Sequence, residues 1–219
     1  MPPVAAATLN ETVVLRQLGR IDYATAFRAM QEFTDTRTPE TPDEIWLLEH
    51  PPVYTMGLKG RDGRCTEIRG IPLAYTDRGG DITYHGPGQL VVYILMDLRR
   101  RNWGPKTLVS AMEQSVINLL AAKDIAAERK AGAPGIYVAG AKIASLGLRV
   151  RRGASYHGIA LNVDADLMPF SYIDPCGYPG QPVTRLIDLG IHQDMALIGQ
   201  DWLKQILIAL GYTDSVASS

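Results

Sequence analysis

A lone cysteine stands in Ser171-Tyr172-Ile173-Asp174-Pro175-Cys176-Gly177-Tyr178-Pro179-Gly180-Gln181. The prolines and glycines around it suit neither a helix nor an interior strand. A thiol that only packs belongs in an apolar periodic run, because free cysteine behaves as a small hydrophobe. Loops on a rigid scaffold, by contrast, concentrate catalytic groups. Cys176 is therefore read as a nucleophile, with a buried structural thiol as the plain alternative. A nucleophilic thiol gains from a neighbouring cation that favours its thiolate. Lys142, in Gly140-Ala141-Lys142-Ile143-Ala144-Ser145-Leu146-Gly147, is a lone lysine in a small, apolar strand, where burying an ammonium is costly. Either it snorkels from a strand end or it meets Cys176; spacing alone does not decide.

A second constellation is Arg78-Gly79-Gly80-Asp81-Ile82-Thr83-Tyr84-His85-Gly86-Pro87-Gly88-Gln89. It fits neither the phosphate-binding loop nor the dinucleotide fingerprint. Gly79 and Gly80 allow a close backbone approach to a ligand, or simply a pair of turns. A third is His157-Gly158-Ile159-Ala160-Leu161-Asn162-Val163, a strand entered by a histidine. His85 and His157 lack a third ligand nearby, so no metal site is expected. Cys65 lies in an irregular charged stretch without lysine or histidine close in sequence, and is not expected to react.

These residues must be held by a scaffold, and the chain supplies one. Thr12 to Leu18, Glu44 to Glu49, Val53 to Met56, Pro72 to Asp77 and Leu90 to Leu98 read as strands. So do Ile136 to Val138, Gly140 to Val150 and Ser155 to Val163, the last two joined at the basic turn Arg151-Arg152-Gly153. Asp22 is a plausible cap for a helix with Tyr23, Ala26, Phe27, Met30 and Phe33 on one face. Thr107 to Ile125 is the strongest helix, and Ala196 to Leu210 closes the chain. Gly57 to Gly70 has no clean period and reads as a mobile loop. Strands come in runs rather than in strict alternation with helices. This predicts an α+β (mixed α/β) fold in one domain spanning residues 1–219.

Composition sets the outer bounds. The chain has 219 residues, 46% hydrophobic and 21% charged, with a net charge of −1, which argues against general nucleic-acid binding. Two cysteines make no disulfide framework. No run is apolar for long enough to cross a bilayer, and the first ten residues lack the pattern of a secretory signal. A soluble cytoplasmic protein is expected. The clusters Arg99-Arg100-Arg101 and Arg149-Arg151-Arg152 are solvated faces, or a steering surface for acidic partners.

Taken together, the segments Arg78 to Gln89, Gly140 to Ala144, His157 to Asn162 and Pro175-Cys176-Gly177 resemble, in this order, the lipoyl(octanoyl) transferase family. The resemblance runs from about Glu44 to Leu186. It implies a mixed β-sheet flanked by helices, like the catalytic domain of biotin and lipoate protein ligases. It implies that Cys176 carries an acyl thioester and that Lys142 favours its thiolate. The substrate contacts it carries over are Arg78, Gly79, Gly80, Asp81, Ile82, Thr83, Tyr84 and His85, with Ser145, Leu146, Gly147, Gly158, Ile159 and Ala160. The implied donor is octanoyl-acyl carrier protein. The implied acceptors are lipoyl domains of 2-oxoacid dehydrogenase complexes and the glycine cleavage H protein, with no cofactor, nucleic acid or membrane. An ATP-dependent lipoate or biotin ligase, a thioesterase and a non-catalytic acyl-chain binding protein are the competing readings.

Overall fold

The computed structural model describes residues 12–60, 65–174, 180–212 and 215–218. In chain order the elements are β1 (Val13–Arg20), α1 (Tyr23–Thr36), β2 (Asp43–Glu49), β3 (Val53–Met56), β4 (Glu67–Ile68), β5 (Ile71–Tyr75), β6 (Ile82–His85) and β7 (Gln89–Leu95). There follow α2 (Pro105–Ala121), β8 (Glu128–Lys130), β9 (Ala133–Val138), β10 (Ala141–Arg151), β11 (Ala154–Asn162), α3 (Met195–Leu210) and β12 (Ser215–Ser218). The large sheet has the order β12-β1-β2-β7-β11-β10-β9-β8, and a smaller one the order β4-β5-β3-β6. β12, β1 and β2 run parallel, and every pairing from β2 onward in the large sheet is antiparallel. The mixed α/β class expected from the sequence is the one observed.

The strand period of two divides the large sheet's side chains between two cores. Ile45 and Leu47 of β2 and Leu90, Val92 and Ile94 of β7 meet Leu108, Met112 and Val116 of α2 and Trp202 and Ile206 of α3. Trp46, Leu48, Val91, Tyr93 and Leu95 lie in the opposite core, with Ala26 and Met30 of α1. β7 is buried along its whole length, which is why it reads as an unbroken apolar run. Local chemistry starts the helices: Asp22 accepts a hydrogen bond from the Thr25 amide at 3.0 Å, Pro105 occupies the first turn of α2, and Asp194 accepts from the Ala196 amide at 2.7 Å. The small sheet has a separate apolar core of Tyr54, Leu73, Ile82, Tyr84 and Phe170. It is tied to the large one where the Gly79 amide donates to the Leu148 carbonyl at 2.9 Å.

Strands β4, β8 and β12 escaped the sequence reading, and β6 was singled out there for its residues rather than as a strand. β8 is Glu-Arg-Lys, a charged edge with no apolar alternation to betray it. The stretch Gly57 to Gly70 is partly ordered rather than a plain loop, since it holds a 3₁₀ turn over Leu58–Gly60 and the two residues of β4. Residues 61–64 of that stretch lie outside the described residues.

Candidate active site

A cleft of about 510 Å³, counting its open mouth, lies between the α1-facing side of the large sheet and the small sheet. Its floor is a patch of three neighbouring strands. Ser145 of β10 pairs with Ala160 of β11 and that with Val91 of β7; one row along, Gly147 pairs with Gly158 and that with Tyr93. Side chains on β10 and β11 are thus absent or minimal, whereas those on β7 are full-sized. Across the gap lie Gly80, Ile82, Thr83 and His85, with Arg78, His157 and Tyr23 completing the wall.

Backbone geometry enforces the small residues. A Cβ added to Gly158 would stand 1.9 Å from the Val92 carbonyl oxygen, so no side chain fits. His157 just before it has φ of 63°, a left-handed conformation costing a non-glycine residue roughly 1–3 kcal/mol. At Gly147 a Cβ would meet Arg78 Cδ at 3.0 Å and the Gly79 carbonyl oxygen at 3.1 Å.

The structure sorts the residues singled out from the sequence. Arg78, Gly80, Ile82, Thr83, His85, Ser145, Leu146, Gly147, Gly158, Ile159 and Ala160 all line the cleft; Gly79, Asp81 and Tyr84 do not. Tyr84 faces the small sheet's core, edge-on to Phe170 at 5.5 Å, and Asp81 accepts from the Ile82 amide at 2.8 Å. Arg78 clamps its own loop to β3. Its guanidinium donates to the carbonyl of Thr55 at 2.7 Å and to those of Asp81 and Gly79 at 2.8 and 3.0 Å, and also bonds the Thr55 hydroxyl. The aliphatic part of Arg78 is what lies against Gly147.

Sequence reasoning put Tyr23 on the buried face of a helix but gave no place at the site to it, His50 or Tyr93, because strand pairing and helix packing alone bring them together. Their protons can be assigned. His50 Nδ1 lies 2.7 Å from the Ile21 carbonyl, which only accepts, so Nδ1 carries the proton; the Tyr93 hydroxyl, 2.7 Å from Nε2, then donates to it. A second chain starts at the Thr184 carbonyl, which accepts from Asn162 Nδ2 at 3.0 Å. Asn162 Oδ1 accepts from Gln89 Nε2 at 2.9 Å, so Gln89 Oε1 accepts from His85 Nδ1 at 2.7 Å. His85 is thereby held with Nε2 unprotonated. His157 Nε2 donates to Asp77 Oδ1 at 2.9 Å, and the Tyr156 hydroxyl donates to the other carboxylate oxygen. Burial alone would raise the Asp77 pKa, but these bonds hold it at about 2.

Burial holds all three imidazoles neutral: it lowers His50 and His157 below the usual value and, reinforced by the nearby His50, brings His85 to about 3. The unfolded chain takes up these protons near pH 6.5 and the folded one only at lower pH, so stability falls as pH drops below 6.5. His85 alone costs about 1.4 kcal/mol per pH unit between pH 6.5 and pH 3. Urea unfolding at pH 7.5, 6 and 5 is expected to show midpoints that descend with pH; equal midpoints would contradict this protonation pattern.

Lys142 lies on β10 three residues before the cleft floor and is 2% exposed. Its Nζ donates to the Pro134 carbonyl at 3.3 Å and lies 5.3 Å from the centre of the Tyr137 ring. The strand is gripped there on both sides. Lys142 pairs with Tyr137 of β9. Where β11 has ended, the Lys142 amide donates to the Pro182 carbonyl at 2.8 Å and its carbonyl accepts from the Thr184 amide at 2.9 Å. Cys176 lies outside the described residues. The segment that follows it in sequence is therefore fastened to the backbone of Lys142, while Ile173, just before it, packs against the small sheet's core.

The other chemical candidates resolve plainly. Cys65 is exposed and its thiol donates to the Glu67 carbonyl at 2.8 Å. Among the described residues, no group of three His, Cys, Asp or Glu side chains is placed to hold a metal ion. The arginine clusters are largely engaged within the molecule: Arg100 reaches the Pro39 and Thr41 carbonyls, Arg101 stacks over Tyr212, and Arg151 pairs with Asp35 at 3.2 Å. No helix among the described residues is long and apolar enough to span a membrane.

The architecture is that of protein ligases that handle lipoate. Lipoate-protein ligase A bound with ATP superposes with a TM-score of 0.74 at 14% identity, covering 95% of this chain and 89% of that one; at this identity the likeness concerns the fold. The model of the lipoyl protein ligase A/B catalytic domain matches residues 22–206. Octanoyltransferases from Azoarcus sp. strain BH72 and Aromatoleum aromaticum are 57% and 56% identical, over 92% and 94% of this chain and 89% and 90% of their own lengths. The chain belongs to the lipoyl protein ligase A/B catalytic-domain family, on its octanoyltransferase branch.

Proposed function

We propose that this protein moves an octanoyl group from acyl carrier protein to a lysine of lipoyl domains, through a thioester on Cys176 assisted by Lys142. The observation that carries the reading is the cleft. Glycine, serine and alanine clear a narrow apolar trough beside the strand that holds a buried lysine, and the stretch after Cys176 is hydrogen-bonded to that lysine's backbone. A trough of this kind takes a thin chain. Burying it contributes about 0.8 kcal/mol per CH₂. The names of the octanoyltransferase relatives give the length of that chain.

The chemistry is two acyl transfers at one thiol. The Cys176 thiolate attacks the thioester carbonyl of octanoyl-acyl carrier protein, and the tetrahedral intermediate expels the phosphopantetheine thiolate, which takes a proton from Lys142. The octanoyl group then sits on Cys176. Neutral Lys142 accepts the proton that the lipoyl-domain lysine loses as its amine attacks. The amide forms and the Cys176 thiolate leaves. The thioester supplies the driving force, so no nucleotide is consumed. Acceptors are lipoyl domains of 2-oxoacid dehydrogenase complexes and the glycine cleavage H protein, and the reaction belongs in the cytoplasm, where the carrier protein and reduced thiols are found. It opens protein lipoylation from endogenously made octanoate.

The reading is tested by incubating octanoyl-acyl carrier protein and a lipoyl domain with the purified protein without ATP. The lipoyl domain is expected to gain one octanoyl group. Cys65→Ser should keep the rate within about twofold, since surface changes away from the chemistry are close to neutral, whereas Cys176→Ser should abolish transfer. Octanoylation that appears only with free octanoate and ATP would show a ligase instead.

A further inference from the structure

Glu113 is a carboxylate among the buried residues of α2, and a carboxylate out of water is costly unless its oxygens are bonded. One oxygen accepts from Arg129 Nε at 3.0 Å, and Arg129 also donates to the Ser110 carbonyl at 3.1 Å and to Gln114 Oε1 at 3.0 Å. The other oxygen accepts from the Gly135 amide at 3.3 Å. That N–H belongs to the same peptide unit as the Pro134 carbonyl, which accepts from Lys142 Nζ at 3.3 Å. One peptide thus stands between the carboxylate and the lysine nitrogen. The β8–β9 register steps from Arg129–Ile136 to Lys130–Ala133 and passes over Pro134 and Gly135, so Glu113 supplies a hold there that β8 does not. Gly135 has φ of 134°, and an added Cβ would stand 2.7 Å from the Ala144 carbonyl oxygen and 3.2 Å from Lys142 Cε. Glycine is what lets this peptide lie against the lysine side chain.

Resting on the transferase reading, we propose that Glu113 is a positioning residue for Lys142, acting through the Pro134–Gly135 peptide. A carboxylate that takes the N–H of a peptide polarises it, and the carbonyl oxygen then holds a donor more strongly. The same bond fixes the plane of the peptide, and with it the direction in which that oxygen points. Lysine is a point charge on a flexible four-carbon stem, and its nitrogen must stay in one place to give up and receive protons. Arg129 keeps the carboxylate oriented from the other side. Glu113 does not line the cleft, so its effect on the rate is carried by the lysine.

The test measures kcat and KM for octanoyl-acyl carrier protein in wild type, Glu113→Met, Glu113→Asp and Glu113→Gln, with thermal melts to confirm folding. Methionine removes the acceptor. Aspartate keeps the charge but withdraws it by one carbon–carbon bond, about 1.5 Å, and glutamine keeps an oxygen able to accept from Gly135. The first two are expected to lower kcat about tenfold at unchanged KM, the scale of one hydrogen bond, and glutamine to stay within about threefold of wild type. Aspartate carries the comparison if the methionine variant fails to fold. Both changes are then made in the Lys142→Met enzyme. There each should alter the residual rate by less than about twofold, because a residue acting through the lysine has nothing left to position. Folded variants with unchanged kcat, or the same tenfold loss without Lys142, would overturn the positioning role and leave the transferase standing. A wild type with no octanoyl transfer at all would remove the reading beneath it.

Discussion

Lys142→Met is expected to lower the rate of octanoyl transfer by a factor of about 10² to 10⁴, the range of a positioned proton-transfer group, with the fold retained. Methionine keeps a flexible apolar stem against Tyr137 and surrenders only the nitrogen that now meets the Pro134 carbonyl. The backbone bonds to Pro182 and Thr184 do not depend on the side chain. In the proposed mechanism both half-reactions should suffer, because the same nitrogen would give its proton to the departing carrier thiol and take one from the incoming amine. Rapid-quench measurement of acylation and of discharge to the lipoyl domain separates them. The pH midpoint of Cys176 alkylation should also move upward in the variant, since on the proposed mechanism the thiolate loses its cation. A variant with undiminished acylation and discharge would remove Lys142 from the chemistry.

Gly158→Ala is expected to produce the largest loss of stability from a single methyl group, about 3 kcal/mol or more. The added Cβ would lie 1.9 Å from the Val92 carbonyl oxygen and 3.1 Å from Tyr93 Cα. Both belong to β7, which is buried throughout between two cores and hydrogen-bonded on either side. A neighbour of that kind yields only by moving a central strand, and overpacking of a well-packed core ordinarily costs 1–3 kcal/mol even where side chains do the moving. Gly104→Ala is the comparison, because no atom lies within 4 Å of its added Cβ and its φ of −96° suits any residue; as the N-cap of α2 it is expected to lose about 1 kcal/mol at most. Urea midpoints for both variants decide the matter. Equal midpoints would mean that β7 adjusts and that the floor is not held as described.

The sequence carried the periodic elements and lost those without period. The α2 stripe of Leu108, Met112, Val116, Leu119 and Leu120 is buried as expected, and the basic turn does join two long antiparallel strands. β8 has three charged residues and is held by its pairing with β9, so nothing in its composition announced it. The cleft shows the same division. Ser145 to Gly147 and Gly158 to Ala160 could be singled out as short segments, and hairpin register then sets them side by side. Tyr84 was grouped with Thr83 and His85, although alternation along a strand sends it to the other face. Tyr23, His50 and Tyr93 come from α1, the residue after β2, and β7; only long-range packing brings these three into one cluster.

The central claim is a covalent octanoyl group on Cys176, and intact mass spectrometry reads it directly. The protein is incubated with octanoyl-acyl carrier protein in the absence of ATP, beside Cys176→Ser, and a lipoyl domain is then added. The account predicts one octanoyl adduct on the wild type, none on the variant, and loss of the adduct as the lipoyl domain gains the same mass. A wild type that stays unmodified while the lipoyl domain becomes octanoylated would contradict it.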